Sequence, residues 1–134
     1  MPITKGHKKL IEEANAAIKA YAIEDALELP NNESVIIVDI RDVRELQKQG
    51  KLPGAVHAPR GMLEFWVDPE SPYHREVFAQ EDKEFVFYCA SAWRSALTTK
   101  TLKDMGMENV AHIAGGFSAW KESGGEIEEH EKKA

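Results

Sequence analysis

The chain has 134 residues, 23 acidic against 17 basic side chains for a net charge of −6, and a single cysteine. That length suits one domain with an ordinary core, and no run approaches the about 18 apolar residues of a membrane span. The acid excess, without a basic stripe, argues against a nucleic-acid partner, and one cysteine excludes an intramolecular disulfide.

The elements follow in chain order. His7 to Ala20 reads as an amphipathic helix, and its charged stretch Glu12-Glu13 interrupts any signal-peptide apolar region. Tyr21 to Leu29 holds a short strand and a second helix, with Glu24 and Asp25 near its start. Val35-Ile36-Ile37-Val38-Asp39-Ile40 is a β-branched run typical of a strand buried on both faces. Asp42 and Glu45 form a capping box for a short helix that Gly50 ends. Ala55 to Ala58 is a weaker strand.

The long connection Arg60 to Asp82 needs structure of its own. Its first part, through Trp66, suits a helix ended by Pro69 and Pro72. Its aromatics Phe65, Trp66 and Tyr73 are read as satellite core, or otherwise as a wall of the pocket above Cys89. Phe85 to Tyr88 is the strongest strand, and Ser95 to Met105 a helix that buries Ala96, Thr99, Leu102 and Met105. Val110 to Ile113 is a further strand, followed at Gly115-Gly116 by a last helix with Phe117 and Trp120. Alternating strands and helices predict an α/β domain with a mostly parallel sheet. Residues 1–20 are then an N-terminal helical extension, 21–125 the domain, and 126–134 an acidic, solvated tail.

Cys89 ends the strongest strand and opens a polar turn, Cys89-Ala90-Ser91-Ala92-Trp93-Arg94-Ser95, that continues as a helix. A lone cysteine is most often a small buried hydrophobe. Here the turn amides, the helix dipole and Arg94 all favour a thiolate, and active groups of parallel sheets gather at the carboxyl ends of strands. The five histidines are scattered without metal-site spacing, so no structural metal is expected. An exposed thiol fits a reducing compartment, and the cytoplasm is the expected location.

Four segments in order resemble the rhodanese family of sulfurtransferases. They are Val38-Asp39-Ile40-Arg41 with Glu45; Gly50-Lys51-Leu52-Pro53-Gly54-Ala55; Cys89 to Ser95; and Asn109-Val110 with Gly115-Gly116-Phe117-Ser118-Ala119-Trp120. The resemblance runs from about Tyr21 to Gly125. It implies a three-layer rhodanese-like domain, with a central, mostly parallel sheet of about five strands and helices on both faces. It also implies that Cys89 carries sulfane sulfur as a persulfide. Backbone amides of Ala90, Ser91, Ala92, Trp93, Arg94 and Ser95 would hold the substrate, with Arg94 closing the loop through backbone carbonyls. The implied partners are a small sulfur donor, such as thiosulfate, and a thiol or protein persulfide acceptor.

One position departs from the family pattern. Ala92 stands where the family has glycine, and an alanine held at positive φ costs about 1–2 kcal/mol. Ala92 and Trp93 keep open another class of function, a rhodanese-fold binding or regulatory module without turnover. A cysteine phosphatase needs five residues between cysteine and arginine, whereas four separate Cys89 from Arg94. Asp39 and Arg41 are expected to brace the fold as a buried ion pair. Trp120 anchors the last helix, His57 lies outside the site, and Arg60 is a minor candidate for the pocket.

Overall fold

The computed structural model describes residues 2–130. Five parallel strands form one sheet: β1 (Lys19–Tyr21), β2 (Val35–Asp39), β3 (Val56–His57), β4 (Glu84–Tyr88) and β5 (Val110–Ile113). Their order is β1-β5-β4-β2-β3, which puts β4 at the centre. Register pairs Val38 with Phe87 across β2 and β4, and Phe87 with His112 across β4 and β5. The period-two alternation of β4 then feeds two cores. Val86 and Tyr88 join Ile37, Ile113, Phe117 and Trp120 on one face. Phe85, Phe87 and Cys89 join Val38, Ile40, Leu63 and Leu102 on the other. Burying each large side chain contributes roughly 1.5–3 kcal/mol.

Six α-helices among the described residues complete the layers: α1 (His7–Ala17), α2 (Ile23–Ala26), α3 (Val43–Gln49), α4 (Leu63–Val67), α5 (Trp93–Asp104) and α6 (Gly116–Glu122). α2 and α6 lie together over the first core, while α1 packs on α5 over the second. α3 starts with the predicted capping box, because Asp42 accepts from the Arg44 amide and Glu45 from the Asp42 amide. α5 buries Ala96, Thr99 and Leu102 as its pattern requires, but Met105 is exposed where the helix ends.

The Asp39–Arg41 pair is a structural brace, as the sequence suggests. Both side chains are fully buried. Arg41 grips Asp39 through Nε and Nη2, at 3.0 and 2.7 Å, and donates to the Gly50 carbonyl at 2.7 Å. The Tyr88 hydroxyl donates to Asp39 Oδ2 at 2.5 Å and accepts from the Leu52 amide at 3.1 Å. Burial and the neighbouring Asp39 charge both raise the Tyr88 phenol, so it remains a donor. This network ties β2, β4 and the segment after α3 together, and every buried charge in it has a partner.

Three features differ from the sequence expectations. The segment read as a solvated tail folds back: Glu128 exchanges both backbone hydrogen bonds with Lys51, and the Glu126 carbonyl accepts from the Trp120 indole at 2.8 Å. A buried indole N–H requires such an acceptor, and this carbonyl is the one within reach. Residues 131–134 lie outside the described residues. Of the three aromatics Phe65, Trp66 and Tyr73 in the long connection only Trp66 packs on the core, with the Arg75 guanidinium 3.8 Å from its ring centroid. Phe65 and Tyr73, expected as satellite core, are instead exposed, because α4 turns one face to the sheet and its buried places go to Leu63 and Val67. Finally, β1 begins at Lys19 and pairs with β5, so the N-terminal extension is stitched into the sheet.

Candidate active site

Cys89 follows β4 directly, and its side chain is 1% exposed. The chain turns over Ala90 and Ser91, passes Ala92 at φ 78° and ψ 0°, and enters α5 at Trp93. Ala92 is the one non-glycine residue with positive φ among the described residues, so the departure from the family pattern is realised as backbone strain. Among those residues, the amides of Ala90, Ser91, Ala92, Trp93 and Arg94 bond no backbone carbonyl. The Ser95 amide points to the sulfur itself, at 3.4 Å from Sγ. Two loop carbonyls are tied down from the neighbouring junction: Phe117 N–H donates to Cys89 O at 2.8 Å, and Ser118 N–H to Ala90 O at 3.0 Å. The loop is thus held by its carbonyls while its amides stay free to receive a charge.

Arg94 corrects the sequence reading. Its guanidinium bonds no loop carbonyl; instead it forms a fork to the Glu45 carboxylate, with Nη1–Oε2 at 2.9 Å and Nη2–Oε1 at 3.0 Å. Glu45 stands at the start of α3, and the two side chains are about one-third exposed. A planar fork prefers a carboxylate to scattered carbonyls. The Arg94 hydrogen bonds hold Glu45 below the usual carboxylate range, against a smaller opposing effect of burial. The Glu45 hydrogen bonds likewise raise Arg94, which also senses the Cys89 sulfur. Glu45 therefore serves both the helix cap and the loop, and its second partner was not legible in a capping motif.

Behind the sulfur lies a polar chain with no counterpart in the sequence reading. Ser95 Oγ is 3.7 Å from Cys89 Sγ, 3.3 Å from the Ala92 carbonyl and 2.9 Å from His112 Nδ1. His112 Nε2 lies 3.1 Å from Asn15 Oδ1 on α1. Ser95 and His112 are buried. Burial pushes the imidazole down to about 4, so it is neutral at physiological pH. A second contact from α1 reaches the loop, where the rings of His7 and Trp93 are 5.2 Å apart. Of the remaining candidates, His57 bonds the Arg41 carbonyl at 2.7 Å, within the brace. Arg60 lines a separate cavity of about 230 Å³ with Glu64 and Thr98.

Beside the loop, Ala90, Phe117 and Ser118 wall an open cleft of about 740 Å³ against α3 and the end of α6. Asp42, Arg44, Glu45, Lys48, Lys121 and Glu122 bring both signs of charge to it. Among the described residues no cluster of His, Cys, Asp or Glu suits a metal ion.

A cysteine at the end of a central parallel strand, followed by unbonded amides that run into a helix, makes this junction the candidate site of an α/β domain. The rhodanese-like domain family matches residues 22–123. The chain belongs to that family. It is 29% identical over 106 residues to the thiosulfate sulfurtransferase GlpE of Pseudoalteromonas translucida, covering 78% of this chain and 90% of that one. A solved Rhodopseudomonas palustris protein of unknown function, RPA3614, described as a possible tyrosine phosphatase, is similar at 52% identity and a TM-score of 0.92. That match covers 96% of this chain and 98% of RPA3614. The single-domain sulfurtransferase RDL2 of Saccharomyces cerevisiae matches at 26% identity and a TM-score of 0.65, over 81% of this chain and 92% of its own.

Proposed function

We propose that this protein transfers sulfane sulfur from thiosulfate or a similar donor to a thiophilic acceptor through a persulfide on Cys89. The observation that carries this reading is the set of unbonded amides from Ala90 to Arg94 around a thiol at the end of β4. The Cys89 thiolate attacks the outer sulfur of the donor. A sulfur–sulfur bond to Cys89 forms, the bond to the sulfonate sulfur breaks, and sulfite leaves with the electron pair. The terminal sulfur then carries the negative charge, and the loop amides receive it as an oxyanion hole receives oxygen. An acceptor such as cyanide or a thiolate takes that sulfur and returns the Cys89 thiolate. No cofactor enters the cycle, and the reading is of a soluble, cytoplasmic enzyme with small-molecule or protein-thiol partners.

The phosphatase description of RPA3614 sets the competing chemistry. Phosphate needs a wider ring and an arginine turned into it, whereas Arg94 here follows four intervening residues and is engaged by Glu45. The deciding experiment is the intact mass of the purified protein after exposure to thiosulfate, mercaptopyruvate or a persulfide donor. A gain of one sulfur, about 32 Da, that cyanide removes and Cys89→Ser abolishes is the expected result for a covalent intermediate. No gain from any donor would leave a binding module, and hydrolysis of an aryl phosphate at comparable efficiency would favour the phosphatase.

A further inference from the structure

We infer that Ser95, His112 and Asn15 form a reversible hydrogen-bond chain that carries the Cys89 proton to the surface at α1 and then supports the sulfur anion. This role rests on Cys89 being the nucleophile of the proposed sulfur transfer. It makes Ser95 the residue in contact with sulfur, and His112 and Asn15 positioning residues. The need for such a path follows from burial. Cys89 is 1% exposed, and its amide and guanidinium neighbours donate hydrogen bonds but accept none. Among the described residues, the acceptor bonded to Sγ is Ser95 Oγ. From there the contacts continue at 2.9 Å to His112 Nδ1 and at 3.1 Å to Asn15 Oδ1. Asn15 is an exposed residue, so the chain ends at water.

In the resting thiol every bond points outward. S–H donates to Ser95 Oγ, the Ser95 hydroxyl to His112 Nδ1, and His112 Nε2–H to the Asn15 oxygen. Ionisation reverses the chain. The thiol proton passes to Oγ, the hydroxyl proton to Nδ1, and the Nε2 proton to a water that reaches Nε2 as the Asn15 side chain swings aside, the amide itself carrying no proton. The net change is one thiolate and one proton released. Asn15 then turns its amide, so that NH₂ donates to Nε2. Asparagine serves both directions because it carries a donor and an acceptor on one group. In the reversed state Nδ1–H backs the Ser95 hydroxyl, which donates to the sulfur anion. Charge-assisted bonds are roughly twice as strong as neutral ones, and a backed donor is stronger still, so this direction favours the anion.

One competitor stands beside the chain: the Ala92 carbonyl, 3.3 Å from Ser95 Oγ, also accepts the hydroxyl proton, and the chain forms when that proton turns to the closer Nδ1 at 2.9 Å. The residues beside His112 in register, Ala20 on β1 and Phe87 on β4, are apolar. Burial alone depresses the imidazole, so a proton passes through it without resting there. The charged groups facing Cys89 are Arg94 and, behind it, Glu45. Asn15 and the Trp93 contact of His7 both come from α1, which lies before residue 22, where the family match begins.

The test is the rate of Cys89 alkylation by iodoacetamide, in mildly acidic and in alkaline buffer, alongside single-turnover sulfur loading from thiosulfate. His112→Ala should slow alkylation about tenfold in acidic buffer, the scale of one hydrogen bond to a charged group, and leave the alkaline rate nearly unchanged. Added imidazole should restore the acidic rate. Furan, a ring of the same size with no N–H donor, should not. Asn15→Leu, at an exposed position that leaves folding intact, should give a smaller slowing of the same pH dependence. Wild-type rates in both variants, or equal rescue by furan, would overturn the inference. Alkylation reads the thiol without sulfur transfer. A protein that shows this pattern but never loads sulfur refutes the proposed function and leaves the chain standing.

Discussion

Two neighbouring strand-to-helix junctions make the same backbone turn for different reasons. β4 enters α5 through Ala92 at φ 78°, and β5 enters α6 through Gly115 at φ 79° and Gly116 at φ 58°. At the second junction a side chain has nowhere to go. A Cβ on Gly116 would sit 2.5 Å from the Cys89 carbonyl oxygen and 2.9 Å from that of Ala90. This close approach lets the α6 amides hold the Cys89 loop. At the first junction a methyl group is present, and the cost is the dihedral strain alone. One glycine answers a contact between two backbones; the alanine stores about 1–2 kcal/mol in the loop that carries the thiol. Strain of that size is small beside a fold but large beside the placement of an anion-binding amide.

The largest test of this contrast is Gly116→Ala. It adds left-handed strain to a backbone clash that only displacement of the Cys89 loop relieves, so a loss of about 3 kcal/mol or more is expected in urea unfolding. Sulfur loading should fall with it. A cost below about 1 kcal/mol would show that the two junctions are equivalent after all.

Acid comes next, through His112 on the strand that leads into the second junction. Its folded pKa, about 4, lies below the ordinary value of 6.5, so between these limits the unfolded chain binds a proton that the folded chain does not. Stability is therefore complete above the upper value and falls by roughly 3 kcal/mol as pH drops to the lower one. Unfolding curves across that window read this directly, and His112→Phe should flatten the dependence. A wild-type profile as flat as the variant's would deny that the imidazole is buried uncharged.

At the first junction, Ala92→Gly removes the strain but loosens the unfolded chain, so stability should move by about 1 kcal/mol or less. The larger readout is kcat/KM for thiosulfate and cyanide, which should rise several-fold as the amides converge on the terminal sulfur, since one misplaced donor can cost about 10²-fold. Equal or lower activity would mean that the loop holds its amides correctly despite the alanine. The smallest stability effect belongs to Glu45→Gln. The capping box survives, because glutamine can accept from the Asp42 amide, and a one-third exposed ion pair contributes at most about 1 kcal/mol. Freed of its carboxylate, Arg94 should improve loading from anionic thiosulfate relative to an uncharged persulfide donor. An unchanged donor ratio would show that Arg94 plays no part in donor choice.

Much of this architecture was legible because its causes are local. The β-branched run of β2, the aromatic run of β4 and the Asp42–Glu45 box each specify an element through neighbours a few residues apart. The Cys89 loop was legible for the same reason, while the positive φ of Ala92 followed from the glycine that the family has at that position. What failed to show in the chain is whatever depends on distant partners. Arg94 was assigned to loop carbonyls, yet Glu45, 49 positions away, supplies a better acceptor. Glu126 to Glu128 looked like charge for water until the buried Trp120 indole required a carbonyl.

The sequence by itself determined the order of strands and helices, the junction that presents Cys89, and the sulfurtransferase resemblance, because hydrophobic period, turn chemistry and a compact motif act within short segments. Tertiary structure alone decided which groups meet the thiol from elsewhere. His112 follows Ser95 by 17 positions and Asn15 precedes His112 by 97. They meet only because β5 lies beside β4 and α1 packs on α5, and a hydrogen bond is sensitive to tenths of an ångström that no spacing along the chain encodes.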